Sequence, residues 1–171
     1  MGKVVIVDNC LAPDKDIFLS YSGPDPWKIV RGIEGAIRPF FHVSSVGTSN
    51  TRLNWDRSGD PVEFFSTWWV KKPFSGYTGA RWDIKAQGNQ GKTSGIGRFS
   101  IRITANLTTE FAGWSPFVKP VWYMYSYLFY DKVRRRMIER CREFSEGFRN
   151  VLKEQFGLEA TSYGPITSSM E

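Results

Sequence analysis

The segment Ala86-Gln87-Gly88-Asn89-Gln90-Gly91-Lys92-Thr93 fits the relaxed phosphate-loop pattern: a small residue, four others, then Gly-Lys-Thr. Such a loop holds phosphates only when a buried strand precedes it and a helix follows, because the helix N-terminal amides supply the donors. Here the preceding residues are half polar, and Ile96 to Leu107 alternates as a strand. The pattern therefore reads as a glycine-rich hairpin loop, and an NTPase is excluded. The rest of the catalytic inventory is short. One histidine, His42, follows Phe40-Phe41 and reads as structural, so triads not built on it are excluded. Two cysteines, Cys10 and Cys141, cannot build a zinc site or a disulfide scaffold, and they read as free, reduced thiols. Glu63 and Asp83 fall on outward strand positions and make a poor acid/base pair, and Asp56 and Asp60 flank a turn. No catalytic residue, metal ligand or cofactor is assigned.

The elements that position these residues are read from periodicity. The 171 residues suit one domain, 41% are hydrophobic, and the formal charge is +6, which permits an anionic partner. Aromatics are heavy, with seven Trp, seven Tyr and thirteen Phe. Val4 to Val7 and Ile17 to Tyr21 read as short strands. Asp25-Pro26 then starts a helix, with Asp25 as side-chain cap. Trp27, Val30, Ile33, Ile37 and Phe41 keep helical spacing, and Pro39 is expected to end the helix near Arg38. From His42 the period is two, through Leu53 and Trp55, Val62 to Lys72, Thr78 to Gln87 and Phe99 to Leu107. A three-residue loop at Phe74 to Gly76 pairs Tyr77 with Pro73, which sets Trp69 opposite Arg81 and Phe65 opposite Lys85. After Pro116 three-to-four spacing continues for about forty residues, Pro120 sits in the first turn, and Gly157 is the stop.

This order of strand, early helix, antiparallel sheet and long C-terminal helix resembles the helix-grip architecture of the START-like (SRPBCC) superfamily. The residues that carry the likeness are Ile17 to Tyr21, Asp25-Pro26-Trp27, the strands between Leu53 and Leu107, and the helix from Pro116. The resemblance implies an α+β fold in which a curved sheet of about five or six strands grips the last helix around an apolar cavity. Residues 1–158 form that single domain, and 159–171 form a flexible tail.

Three surfaces follow. Trp55, Phe64, Trp68, Trp82, Ile84, Phe99 and Ile101 face inward toward Trp122 and Tyr125 and can line a cavity for an apolar or aromatic small molecule. That is the leading function, and it is non-catalytic. On the opposite sheet face Phe65, Trp69, Arg81, Lys85, Arg98 and Arg102 interleave aromatics with cations, as single-stranded RNA binders do. With Arg134 and Arg135 on the basic helix they define the alternative, an RNA- or ribonucleoprotein-associated factor. A cyclase- or hydrolase-like enzyme of the same superfamily is the second alternative. The long helix can also pair with a second copy. No signal peptide and no apolar run long enough to span a membrane is found, so a cytoplasmic location is the default.

Overall fold

The computed structural model describes residues 3–112 and 119–161. Strands β1 (Lys3–Asn9) and β2 (Asp16–Pro24) lead into helix α1 (Pro26–Phe41). A single 3-10 turn precedes β3 (Thr48–Asp56), β4 (Val62–Pro73), β5 (Thr78–Gln90) and β6 (Ile96–Ala112). Helices α2 (Lys119–Leu128) and α3 (Asp131–Phe156) and the short β7 (Glu159–Ala160) follow.

Helix α1 buries Val30, Ile33, Ile37 and Phe41, the three-to-four spacing of one apolar stripe. Two details of it differ from expectation. Asp25 takes a left-handed backbone, φ 48°, and its side chain makes no cap bond. Its amide donates instead to Gly95 O at 2.8 Å, and the Trp27 amide donates to Gln90 Oε1 at 3.3 Å, so the β5–β6 turn serves as the cap. Pro39 lies inside the last turn rather than ending the helix, which closes at His42 (φ 50°) with its amide on Arg38 O. Proline is tolerated there because it removes one bond only a turn before the helix would end anyway.

The sheet is antiparallel, curved and open, in the order β3-β4-β5-β6-β2-β7, with β1 also on β6. Among the described residues it has seven strands, not five or six, because Glu159 and Ala160, assigned by sequence to the tail, pair with Ser20 and Leu19. The long β6 holds β2 along its first half and β1 along its second. Along β4 to β6 burial alternates strictly, so one face is core and the other is wet. At Gly88 the strands β5 and β6 run so close that a Cβ would collide with Arg98 and Phe99. The β4–β5 hairpin closes through four residues, with the Phe74 and Ser75 amides on Thr78 O, so Pro73 pairs with Gly79. The register is therefore two residues off the expected one. Trp69 lies opposite Asp83 and Phe65 opposite Gln87, while every residue keeps its expected face because a shift of two preserves parity.

The expected forty-residue helix is two helices, interrupted at Phe129–Tyr130. Pro120 does lie in the first turn of α2, and Gly157 (φ 68°) closes α3 with its amide on the carbonyls of the last turn. Cys141, Ser145, Phe148 and Leu152 of α3 face the concave side of the sheet together with α1. Trp82 is fully buried there, its Nε1 donating to Ser145 Oγ at 2.9 Å, and Ser145 Oγ donates back to Cys141 O at 2.8 Å.

The free-thiol expectation is overturned: Cys10 and Cys141 form a disulfide, with Cα atoms 5.8 Å apart. The turn after β1 brings Cys10 beneath α3, where its amide holds Ala105 O at 3.0 Å. Arg142, one residue past Cys141, reinforces the junction by donating to Cys10 O (3.1 Å) and Ala12 O (2.7 Å). Sequence separation of 131 residues concealed the pairing.

Candidate functional site

The concave face carries Phe64, Trp68, Trp82, Ile84, Phe99 and Ile101, all buried, with Trp55 half-buried at its edge. The period-two reading thus gathered seven predicted residues on one surface. What lies over them is mostly ring. Phe41 packs on Trp82 at 4.7 Å between centroids, Phe144 on Trp82 at 6.0 Å, and Phe148 on Phe41 at 5.1 Å. Tyr125 stands on α2, exposed and stacked on Phe129 at 5.8 Å, and the Trp122 side chain lies outside the described residues.

Open space occurs at the edge of this face. A cleft of about 380 Å³ separates α1 from β3 and β4. Glu34, Gly35, Ile37 and Arg38 form its helical wall, Thr48, Ser49 and Asn50 its strand wall, and Trp68 joins the lining from β4. Asn50 lies opposite Trp68, and a register shift between Asn50 and Arg52 bends β3 at this point. Thr48 donates its hydroxyl to Trp69 O at 2.8 Å, and Asn50 donates to Ser66 Oγ at 3.3 Å. Trp68 is only 3% exposed, yet its buried indole N–H has no hydrogen-bond partner among the described residues, nor has the indole N–H of half-buried Trp55. A buried donor left unpaired costs about 1–3 kcal/mol, so it is a group that gains from an added acceptor. Nearby, Leu53 on β3 pairs with inward Ser66 yet is exposed. Of these lining residues, the sequence singled out Trp68 alone as a site candidate, and Ile37 only as helix core. Glu34, Arg38 and Asn50 carried no signal, since each reads as an ordinary polar position on a helix flank or an edge strand.

The outer face presents half-buried Phe65 and Trp69 and exposed Arg81, Lys85, Arg98 and Arg102. Lys71 and Arg81 lie over the Trp69 ring at 5.5 and 5.9 Å. Much of the positive charge is already answered: Arg81 pairs with Asp83 at 2.9 Å and Arg102 with Asp16 at 2.6 Å. Lys85 and Arg98 make no ion pair among the described residues. Arg134 and Arg135 are distant from this group in the sequence and differ in setting. Arg134 is tucked against Asp8 at 3.5 Å, whereas Arg135 is exposed and meets Asp131 at 2.9 Å.

The other candidates resolve locally. Residues 86–93 form strand and turn leading into another strand, and Lys92 is bound to the β3–β4 turn through Asp60 Oδ1 (3.1 Å) and Arg57 O (2.9 Å). Asp56 accepts from the Ser58 hydroxyl and amide, and these bonds hold its carboxyl below the usual value. Both aspartates are turn formers. Glu63 and Asp83 lie on the outer face, Asp83 already paired with Arg81.

The fold defines the class: an α+β protein whose open antiparallel sheet packs against its C-terminal helix, an arrangement consistent with helix-grip architecture. No protein-family model matches the chain, and no curated protein does.

Proposed function

We propose that this protein is a small-molecule-binding domain of helix-grip type, with its ligand seated in the cleft between α1 and the β3–β4 edge. The observation that carries the reading is the unpaired indole N–H of nearly buried Trp68, which lines that cleft. The lining suits a small, flat molecule with a hydrogen-bond acceptor for the indole and polar groups for Arg38, Glu34 and the strand residues Thr48, Ser49 and Asn50. Ligand sites are concave and carry a few placed polar groups, and in this cleft Trp68 and Ile37 supply the apolar part of an otherwise largely polar lining. The location differs from a cavity under the C-terminal helix, where Phe41, Phe144 and Phe148 pack over Trp82. No chemistry is assigned, and binding is the function.

The test is an indole N–H NMR titration of the gently purified protein with a panel of small aromatic carboxylates and amides. A selective shift of the Trp68 signal, lost in Trp68→Phe while the other six indoles stay in place, supports the reading. Shifts confined to other indoles, or none, overturn it. One observation favours a second reading on the outer face: Trp69 lies beneath both Lys71 and Arg81. If single-stranded RNA binds there, Trp69→Ala with Lys85→Ala lowers affinity about tenfold or more, and affinity falls steeply with salt. The cytoplasmic default rested on finding no signal peptide and no spanning run, and the Cys10–Cys141 disulfide speaks against it, since such bonds persist mainly in oxidising compartments.

A further inference from the structure

We propose that α2 and the first turn of α3 dock on an anionic lipid surface. Tyr127, Leu128 and Phe129 are 70%, 69% and 70% exposed, and Val121, Met124 and Val133 are exposed beside them. Isolated apolar residues on a surface are ordinary, but a contiguous group of this size on one short arm marks an interaction site. The arm stands on a fixed base. Tyr130 is 8% exposed, its phenol oxygen lies 2.8 Å from Thr78 Oγ1 and 3.1 Å from Ser75 Oγ, and its ring meets Phe111 edge-on at 5.5 Å.

Charge selects lipid over a protein groove. Residues 119–136 contain Lys119, Lys132, Arg134, Arg135 and Arg136 against Asp131 alone, five positive minus one negative, a net of +4. Arg134 turns inward to Asp8, while Lys132, Arg135 and Arg136 remain exposed at the foot of the aromatic group. Tyrosine and phenylalanine beside lysine and arginine is the composition of an interfacial helix, rings at headgroup level and cations on anionic lipid. Ten residues of helix extend about 15 Å, half of a hydrocarbon core, so α2 lies along the interface. Among the described residues no helix is long and apolar enough to cross a membrane.

The experiment is flotation of the full chain with two vesicle types: phosphatidylcholine alone, and equal parts phosphatidylcholine and phosphatidylglycerol. The protein floats with the anionic vesicles and stays behind with the zwitterionic ones. Leu128→Ser with Phe129→Ser abolishes flotation while the far-UV circular dichroism is unchanged, as expected for exposed positions. Arg135→Glu with Arg136→Glu weakens partitioning at least tenfold, since each cation near an anionic surface contributes about fivefold. Failure to float with either vesicle overturns the proposal, as does equal flotation with both. A dimer in light scattering that Leu128→Ser with Phe129→Ser converts to monomer also overturns it, and assigns the patch to a second copy.

Discussion

Phe41, Phe144, Phe148 and Trp82 pack on one another at 4.7–6.3 Å between α3 and the sheet, whereas Tyr127, Leu128 and Phe129, at the end of the preceding helix and just after it, stand in solvent. Both clusters are built from large apolar and aromatic side chains. They differ in what faces them. In α3 the large apolar residues return every three or four positions, so one stripe meets the concave sheet and the opposite side is charged. In α2 nearly every residue is apolar or aromatic, and one helix can press only one side against β1. The surplus is left exposed. Tyr130 marks the boundary: one residue beyond exposed Phe129, it is buried and hydrogen-bonded.

Several substitutions break or sharpen this contrast. The largest effect is expected for Trp82→Ala, which empties a fully buried site and removes the bond to Ser145; it lowers stability by about 3–5 kcal/mol, read as a fall in thermal midpoint. Cys141→Ser opens a link across most of the chain and costs about 2–4 kcal/mol by denaturant unfolding under non-reducing conditions. If mild reductant destabilises the wild type equally without denaturant, the link is more accessible than its burial implies. Tyr130→Phe keeps the ring but leaves the Thr78–Thr109 hydroxyl pair without its third member. It costs about 1–2 kcal/mol and speeds amide exchange in α2 before any change in β5. Leu128→Ser with Phe129→Ser alters stability least, within about 0.5 kcal/mol, because both side chains are already in water. A loss of several kcal/mol in that variant would show that the arm is packed against the body and erase the contrast.

Much of the sheet was legible in the sequence. Strict alternation in Trp82, Ile84 and Ala86 and in Phe99, Ile101 and Ile103 named the buried face residue by residue, and that naming survived a two-residue register shift because parity is insensitive to it. Pro26 and Gly157 marked helix ends correctly for local reasons, a ring-fixed φ and a left-handed stop. The candidate cleft was far less legible. Of its lining only Trp68 stood out, since Glu34 and Arg38 are separated from Asn50 by a turn and a bulged edge strand, and no spacing rule connects them.

What the sequence determined by itself is therefore local: which residues point inward, where helices start and stop, and that no phosphate loop forms at residues 86–93. What only the tertiary structure decided is long-range. It joined Cys10 to Cys141, placed Gln90 on the Trp27 amide of α1, closed the space over Trp82 with phenylalanines, and left much of α2 exposed. The physical reason is that side-chain direction follows from backbone period within a few residues, whereas proximity across many tens of residues depends on how complete elements pack, which no local period encodes.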